Sequence, residues 1–254
     1  MQNIAKNVSQ ITALLQQIRT DSHRNGDSIK LLAASKGQNA DNLLAAWCAG
    51  IRCFGESYLQ EALQKQAALQ HLLEPRNAMV RNCSVPEWHF IGPIQTNKTR
   101  DIARHFSWVH SIDRLKVAER LNLHRQGSAT RLNVCIQVNI DREATKSGVP
   151  PGELLDLARS IVKLPNLHLR GLMVIPQPRV GLTAQREPFR QTAALLRHLK
   201  ISSPDLQSLD TLSMGMSDDM AAAIAEGATI LRIGRGIFGP RPANHGGGAG
   251  SNPR

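Results

Sequence analysis

The sequence predicts a single α/β domain folded as a (β/α)8 barrel of the TIM type. Eight short apolar runs of strand character alternate with longer runs of helix character, the pattern of a parallel sheet with helical crossovers. The chain has 254 residues, and about 250 residues is the usual size of one such barrel. Eight strands with parallel crossovers favour a closed barrel over an open doubly wound sheet.

The helices and strands follow one another along the chain. An additional N-terminal helix over 4–19 precedes the first strand and carries Ile4, Val8, Ile11 and Leu15 on one stripe. The predicted strands cover 29–35, 51–55, 88–92, 108–112, 132–140, 167–175, 208–214 and 229–234. The predicted helices between them cover 41–49, 56–73, 97–106, 113–126, 151–164, 187–201 and 217–226.

Capping residues support several of these helix ends. Gly50 and Gly227 stand where helices are expected to end, because glycine readily adopts the left-handed conformation that follows a helix. Asp41 and Asp113 suit helix N-caps, because a carboxylate accepts hydrogen bonds from the free N–H groups of the first turn. Ser217 stands where the last predicted helix should begin.

The domain prediction is one barrel over residues 1–239 and a disordered C-terminal tail over 240–254. The tail contains three consecutive glycines at 246–248 together with small polar residues, and chain ends of this kind are usually poorly ordered. Because the chain ends soon after the eighth strand, we expect no C-terminal β-domain.

Charge and aromatic content bound the classes of partner. The formal net charge is +11, and a basic chain can bind nucleic acid, phosphate ligands or anionic membranes. The basic residues are scattered rather than clustered, and aromatic residues make up only 4% of the chain, which is poor for stacking bases. Nucleic acid is therefore not the expected partner.

Other sequence features argue against membrane and metal sites. No apolar run reaches the roughly 20 residues of a membrane helix, and the N-terminus lacks an apolar signal segment. We therefore expect a cytoplasmic protein with no membrane partner. The four cysteines form no Cys-x-x-Cys pair, so reduced thiols are expected and a zinc site is not.

Lys36 is the strongest candidate for chemistry. In a strand alternate side chains share a face, so Lys36 should point inward with Leu32 and Ala34. An ammonium in a core is costly unless it is paired or used, and a partly desolvated lysine amine is a good nucleophile towards aldehydes. Barrel active sites gather at this carboxyl end of the strands. The alternative is a lysine that has left the strand and meets solvent.

The segments after strands seven and eight predict a phosphate site, as is common in barrels. The hydroxyl of Ser217 and nearby backbone N–H groups can serve an anion at a helix start. Gly234 and Gly236 let the backbone approach a ligand closely. Arg232 alternates with Gly234 on one strand face, which aims its guanidinium at the barrel mouth. The alternative is an ordinary N-cap serine with glycines that only form turns.

An aldehyde that carries a phosphate would use both halves of this site, and pyridoxal 5′-phosphate fits. Lys36 would form a Schiff base with the aldehyde, and Arg232 would lie near the pyridine ring. Ser217 and the backbone N–H groups of Gly234 and Arg235 would bind the phosphate.

Several blocks of sequence, in order, resemble one family. They are Ala34-Ser35-Lys36, Phe54-Gly55-Glu56, Trp88-His89-Phe90-Ile91-Gly92, Gln95-Thr96-Asn97-Lys98, Lys146-Ser147-Gly148, Arg170-Gly171-Leu172-Met173, Gly215-Met216-Ser217-Asp218-Asp219-Met220 and Arg232-Ile233-Gly234. The chain resembles the pyridoxal phosphate homeostasis proteins, which are barrels similar to the N-terminal domain of alanine racemase. The resemblance implies that Lys36 is the cofactor lysine and that Arg232 faces the pyridine nitrogen. Because a guanidinium only donates hydrogen bonds, that nitrogen should then stay unprotonated. Such a ring is a weaker electron sink, which argues against a transaminase-like enzyme but leaves racemisation open. It also implies that Ser217, Gly234 and residue 235 hold the phosphate.

Five further residues enter the expected cofactor site through these blocks or depart from them. Ser57 replaces a usual asparagine and Arg235 a usual small hydroxylated residue, so contacts from both side chains are open. Met216 belongs to the phosphate block. His89 is either a cofactor contact or a hydrogen-bonded barrel histidine. Lys146 aligns with an arginine that serves the racemase site, so it is expected at the barrel mouth.

The expected function is cofactor binding rather than catalysis. A two-base racemase needs a second acid or base opposite the lysine, and the single tyrosine, Tyr58, lies at a helix start. We expect a monomeric protein that holds pyridoxal phosphate and buffers it or delivers it to apo-enzymes that depend on it, with no catalytic residue assigned. Two alternatives remain open: a racemase-like enzyme, and a non-covalent binder of phosphate ligands or nucleic acid.

Overall fold

Eight parallel strands form a closed barrel in sequence order, with the first strand paired to the eighth. The computed structural model describes residues 3–22, 28–74, 85–143 and 145–240. The strands are β1 (Lys30–Ala34), β2 (Cys53–Glu56), β3 (Glu87–Phe90), β4 (Trp108–Ile112), β5 (Leu132–Val138), β6 (Leu167–Val174), β7 (Thr211–Ser213) and β8 (Ile230–Ile233). The predicted fold class is confirmed.

Helices surround the barrel and connect successive strands. Within the described part of the chain they are α1 (Ile4–Asp21), α2 (Ala40–Cys48), α3 (Leu59–Leu72), α4 (Thr99–His105), α5 (Leu115–His124), α6 (Leu154–Ile161), α7 (Leu182–Ser202), α8 (Met220–Ala225) and α9 (Arg235–Phe238). Short 3-10 turns at Thr96–Lys98 and Pro151–Glu153 lead into α4 and α6. The additional N-terminal helix is confirmed, and α9 is a short helix that the sequence did not predict.

The two predicted aspartate N-caps are both wrong by one or two positions. The N-cap of α2 is Asn39, whose side chain accepts the N–H of Asn42, so Asp41 lies inside the first turn. The N-cap of α5 is Arg114, which caps through no side-chain hydrogen bond, so Asp113 lies one residue before the cap. In both cases the carboxylate is still near the helix start, where the helix dipole favours a negative charge.

Two further helix starts differ from their predictions for local reasons. Helix α7 begins at Leu182 rather than at 187. Proline usually marks a helix start, but Pro188 lies inside this helix. Helix α8 begins at Met220, and Ser217 lies in the turn before it rather than at its start.

The apolar core has two parts. The larger part lies between the sheet and the helices and includes the fully buried rings of Trp47, Phe54, Phe106 and Phe189. The smaller part fills the barrel lumen with Leu32, Cys53, Trp108, Cys135, Met173 and Ile230. Burying one large apolar side chain contributes about 1.5–3 kcal/mol. Apolar packing therefore stabilises the sheet on its outer face and on its lumen face.

Helix α1 packs against α9, the helix that follows the last strand. Of its predicted apolar stripe, Ile4, Val8 and Leu15 are buried and Ile11 is half-buried. The Asn7 side chain donates to the Ile237 carbonyl at 2.9 Å. In the part of the chain that the structure describes, no helix is long and apolar enough to cross a membrane. The predicted disordered tail lies outside the described residues from position 241 onward.

Candidate functional site

A cavity of about 340 Å³ opens at the carboxyl ends of the barrel strands. This volume lies in the range of small-molecule sites. The predicted site residues that line it are Lys36, Ser57, Met216, Ser217, Arg232, Gly234 and Arg235. The structure therefore brings together most of the residues that the sequence singled out from four separate chain segments.

Lys36 enters this cavity from the turn that follows β1. It is half-buried, and its Nζ lies 4.5 Å from the centre of the Tyr58 ring. An ammonium over a tyrosine face gains a cation–π attraction of about 0.5–1 kcal/mol at such a site. Since Ala34 lines the same cavity, the predicted inward face of the strand continues past its end to Lys36.

A buried ion cluster holds the backbone on both sides of Lys36. The ammonium of Lys65 donates to the Ser35 carbonyl at 2.6 Å, to Glu56 at 2.8 Å and to Glu61 at 2.5 Å. Glu61 also accepts the backbone N–H of Gly37 at 2.5 Å. The residues before and after the lysine are thus tied to the same ammonium group, directly or through one carboxylate.

Glu56 is the most buried carboxylate of this ion cluster. Its side chain is fully inaccessible and also accepts the hydroxyl of Ser35 at 2.6 Å. Burial raises the pKa of Glu56, and the Lys65 ammonium and the Ser35 hydroxyl only partly offset this effect. No sequence motif indicated this cluster, because its members become neighbours only when β1, β2 and α3 pack together.

Arg232 forms part of the cavity floor. Its guanidinium donates to the Ser213 carbonyl at 2.5 Å, to the Ser213 hydroxyl at 2.9 Å and to the Val174 carbonyl at 2.8 Å. Burial lowers the pKa of Arg232 to about 10, so the group stays cationic at neutral pH. The predicted inward direction of this side chain agrees with its position in the lumen.

The turn between β8 and α9 forms the other edge of the cavity. A side chain at Gly234 would place its Cβ 3.3 Å from the Ala34 carbonyl, so glycine suits this close approach to β1. The Ser217 hydroxyl accepts the backbone N–H of Gly236 at 3.2 Å. Because the first N–H groups of a helix have no partner within it, this turn offers hydrogen-bond donors beside the Ser217 hydroxyl.

The side chain of Arg235 lies at the rim of the cavity and pairs with Asp218. Both side chains are mainly exposed, at 66% and 73% of their surface. The Arg235 side chain therefore points outward to solvent in this structure. Asp218 itself lines the cavity, and the sequence reasoning did not single it out.

Two predicted site residues do not line this cavity. His89 lies fully buried in the lumen, where its Nδ1 is 2.8 Å from His110 Nε2. The alternative of a hydrogen-bonded barrel histidine is thus the one that the structure supports. Lys146 lines a neighbouring cavity and pairs with Glu143 at 2.6 Å. Ile91 and Ile175 line both cavities. The alternation of side chains along the third and sixth strands could have predicted that these two residues face the barrel interior.

A group of potential metal ligands lies at the opposite end of the lumen. Donor atoms of Cys53, Glu87 and His89 come within 4.8 Å of one another. The Lys30 ammonium already donates to both oxygens of Glu87, at 2.8 and 3.1 Å. Burial also raises the pKa of the Cys53 thiol to about 11, which disfavours the thiolate that a metal needs. We assign no metal to this group.

Comparison with known proteins adds the family. Residues 2–242 match the family described as "Alanine racemase, N-terminal domain". A curated relative from Pseudomonas aeruginosa, named "Pyridoxal phosphate homeostasis protein", is 49% identical over 95% of this chain and 97% of its own length. A relative of the same name from Escherichia coli K12 is 45% identical over 95% of this chain and 98% of its own. The chain belongs to the pyridoxal phosphate homeostasis protein family.

Solved structures place this family member among similar barrels. PipY of Synechococcus elongatus, described with pyridoxal phosphate bound, is 32% identical with a TM-score of 0.78 and covers 93% of this chain and 100% of its own. Alanine racemase of Clostridium difficile is 13% identical with a TM-score of 0.66, over 96% of this chain and 61% of the racemase. The racemase thus shares the barrel fold with this homeostasis protein family member.

Proposed function

We propose that this protein binds pyridoxal 5′-phosphate in the cavity at the barrel mouth and acts in intracellular homeostasis of that cofactor. The observation that carries the proposal is the arrangement of the cavity lining. It combines one lysine amine, a buried cationic floor and a turn with backbone N–H donors. The cofactor presents matching groups to each of these: an aldehyde, a pyridine nitrogen and a phosphate.

Individual residues fit individual parts of the cofactor. Lys36 would hold the aldehyde carbon as a Schiff base, and the Arg232 guanidinium would meet the pyridine ring from the cavity floor. Ser217 and the backbone N–H groups of Gly234 and Arg235 would bind the phosphate. When bound, the cofactor supplies an electrophilic carbon that links reversibly to amines and an electron-withdrawing ring. Ser57 and Met216 line the remaining wall.

The surroundings of Lys36 favour storage over catalysis. A two-base racemisation needs a second acid or base on the face opposite the lysine. Tyr58 does not meet this need, because its ring lies against the Lys36 amine itself. We infer that the protein buffers the cofactor or delivers it to apo-enzymes that depend on it. The proposal includes a cytoplasmic, monomeric protein, in keeping with the free thiols of Cys48, Cys53 and Cys135.

The first experiment tests covalent attachment at Lys36. Purified protein is incubated with pyridoxal phosphate, its visible absorption spectrum is recorded, and borohydride reduction is followed by peptide mass mapping. We expect a yellow protein whose cofactor mass is found on the peptide that contains Lys36. Lys36→Ala should lose the label, whereas Lys146→Ala, a lysine of the neighbouring cavity, should keep it. A label on other lysines, or none in the wild-type protein, contradicts the proposal.

A second experiment separates delivery from the two alternative functions. Loaded protein is mixed with an apo-enzyme that needs the cofactor, and recovery of that enzyme's activity is compared with its recovery in free cofactor. Transfer supports delivery. Cofactor-dependent exchange of the α-hydrogen of a free amino acid for deuterium would instead identify a racemase-like enzyme. Salt-sensitive binding of nucleic acid that Lys36→Ala leaves unchanged would identify a non-covalent binder.

A further inference from the structure

A row of polar side chains runs through the barrel lumen from its amino-terminal end to the cavity floor. Glu87 Oε1 lies 2.8 Å from His89 Nε2, and His89 Nδ1 lies 2.8 Å from His110 Nε2. His110 Nδ1 lies 2.7 Å from the Ser213 hydroxyl, which accepts from Arg232 at 2.9 Å. We call these five residues the lumen chain. It connects a carboxylate at one end of the barrel to the guanidinium under the candidate site.

Hydrogen bonding at the Arg232 end is compatible with one direction along the lumen chain. A guanidinium has donors only, so the Ser213 oxygen accepts from Arg232 and its own hydrogen is available for His110 Nδ1. When Ser213 donates to Nδ1 in this way, His110 carries its proton on Nε2, which then donates to His89 Nδ1. His89 in turn carries its proton on Nε2, on the side of Glu87.

Chemistry at the Glu87 end requires the same direction. An unprotonated His89 Nε2 would bring a nitrogen lone pair to 2.8 Å from a carboxylate oxygen, which is repulsive. The protonated Nε2 faces this carboxylate in electrostatic contact, although it is not aligned as a full hydrogen bond. A neutral His89 with its proton on Nε2 accepts on Nδ1, so His110 donates from Nε2 and accepts the Ser213 hydrogen on Nδ1. Each histidine therefore carries its proton on Nε2.

The charge states agree with this assignment. Both histidines are fully buried, and burial lowers the pKa of each, so both rings are neutral at neutral pH. Burial raises the pKa of Glu87, but the adjacent His89 N–H and the hydrogen-bonded Lys30 ammonium outweigh this effect and bring the value to about 2. The lumen chain thus runs from a cation at Arg232 to an anion at Glu87 through neutral groups.

We propose that His89 and His110 are positioning residues, whose single tautomer holds the Ser213 hydroxyl ready to accept from Arg232 and so orients the guanidinium on the cavity floor. The inference rests on the proposed function only in naming the ligand, an aromatic nitrogen ring that meets this guanidinium. The competing account is that the backbone carbonyls of Ser213 and Val174, which also accept from Arg232, hold it unaided.

The first test needs no cofactor. In apo-protein labelled with nitrogen-15 histidine, long-range correlation spectra at neutral pH distinguish protonated from unprotonated ring nitrogens. We expect both buried histidines to carry the proton on Nε2, with assignments made from His89→Gln and His110→Gln. An imidazolium, or a proton on Nδ1 of either ring, overturns the inference. This result is independent of whether the protein takes up pyridoxal phosphate.

The second test reads the position of Arg232 through the bound cofactor. Ser213→Ala removes the acceptor, and we expect a shifted absorption maximum and about tenfold weaker cofactor binding, the usual scale for one hydrogen bond to a charged group. Ser213→Thr, which restores a hydroxyl, should recover both. Thr192→Ala is the control for packing loss, because this buried threonine donates to the Pro188 carbonyl of its own helix, α7. Equal spectra and affinities in Ser213→Ala and Thr192→Ala favour the backbone account and overturn the proposal.

Discussion

Lys30 and Lys36 are six positions apart in the chain and lie at opposite ends of the same barrel. Lys30 begins β1 at the amino-terminal end, where its ammonium binds both oxygens of Glu87 and lies over the Trp108 ring. Lys36 follows β1 at the mouth, where its ammonium lies over Tyr58. Among the described residues, no carboxylate lies within ion-pair distance of Lys36. A paired lysine stabilises the fold, whereas an amine left without a counter-ion beside a cavity is available for chemistry.

Removing the Lys36 amine should have the greatest effect of the substitutions proposed for this barrel. Lys36→Met should abolish borohydride-trapped cofactor while changing the free energy of unfolding by less than about 1 kcal/mol, because only a half-exposed cation–π contact is lost. Lys30→Met should show the reverse, with trapping retained and measurable destabilisation. Mass mapping and urea unfolding on both variants measure the two effects. Loss of trapping in Lys30→Met would remove the distinction between the two ends.

The ion cluster behind Lys36 gives the next effect. Lys65→Met should lower the free energy of unfolding by about 3 kcal/mol, because it leaves the buried Glu56 and its neighbour Glu61 without their shared cation. Urea unfolding measures this change, and Lys116→Met, an exposed lysine of α5, is the control. A change no larger than that of the control would show that the cluster does not hold the turn.

The Glu87 carboxylate that pairs with Lys30 should make the stability of the protein depend on acidic pH. Because the pKa of Glu87 is lowered from 4.5 to about 2, its contribution is present above pH 4.5 and is lost as pH falls towards 2. Glu87→Gln should reduce this loss by about 1 kcal/mol, once solvent screening of a partly exposed pair is allowed for. Unfolding at a series of pH values measures the slope. Parallel curves for the two proteins would contradict the assignment.

The smallest effect is expected at the rim. The exposed pair of Arg235 and Asp218 should contribute less than about 0.5 kcal/mol to stability. Arg235→Ala should therefore leave thermal unfolding nearly unchanged and weaken cofactor binding less than tenfold, since the backbone N–H at this position is retained. Titration of the absorption spectrum measures the affinity. A loss beyond tenfold would place the guanidinium on the phosphate rather than at the rim.

Local patterns predicted the barrel well because each strand is short, apolar and regularly spaced. The fourth strand, 108–112, has its predicted bounds. Helix α8 does not, because a serine next to two aspartates resembles an N-cap although Ser217 lies in the preceding turn. For α7, Pro188 resembles a residue at a helix start, so the predicted start at 187 lies after the observed start at Leu182.

Residues of the candidate site were predictable where strand periodicity determines the direction of the side chain. Lys36 and Arg232 were found in this way, because alternation along a strand fixes which face a residue shares. The partners that hold them were not predictable. Lys65 of α3 reaches Ser35 at the end of β1, and Ser213 reaches His110 across the lumen. Such contacts depend on tertiary packing, which one sequence does not record.

The even spacing between Lys30 and Lys36 constrains how the strand can change in length. Both residues share the inward face only because successive side chains alternate, so adding or deleting one residue between them would turn one of the two outward. A change of two residues would restore the face but move one ammonium by about 7 Å along the barrel axis. Substitutions at this strand are therefore easier to accommodate than insertions or deletions, which would separate the anchored lysine from the reactive one.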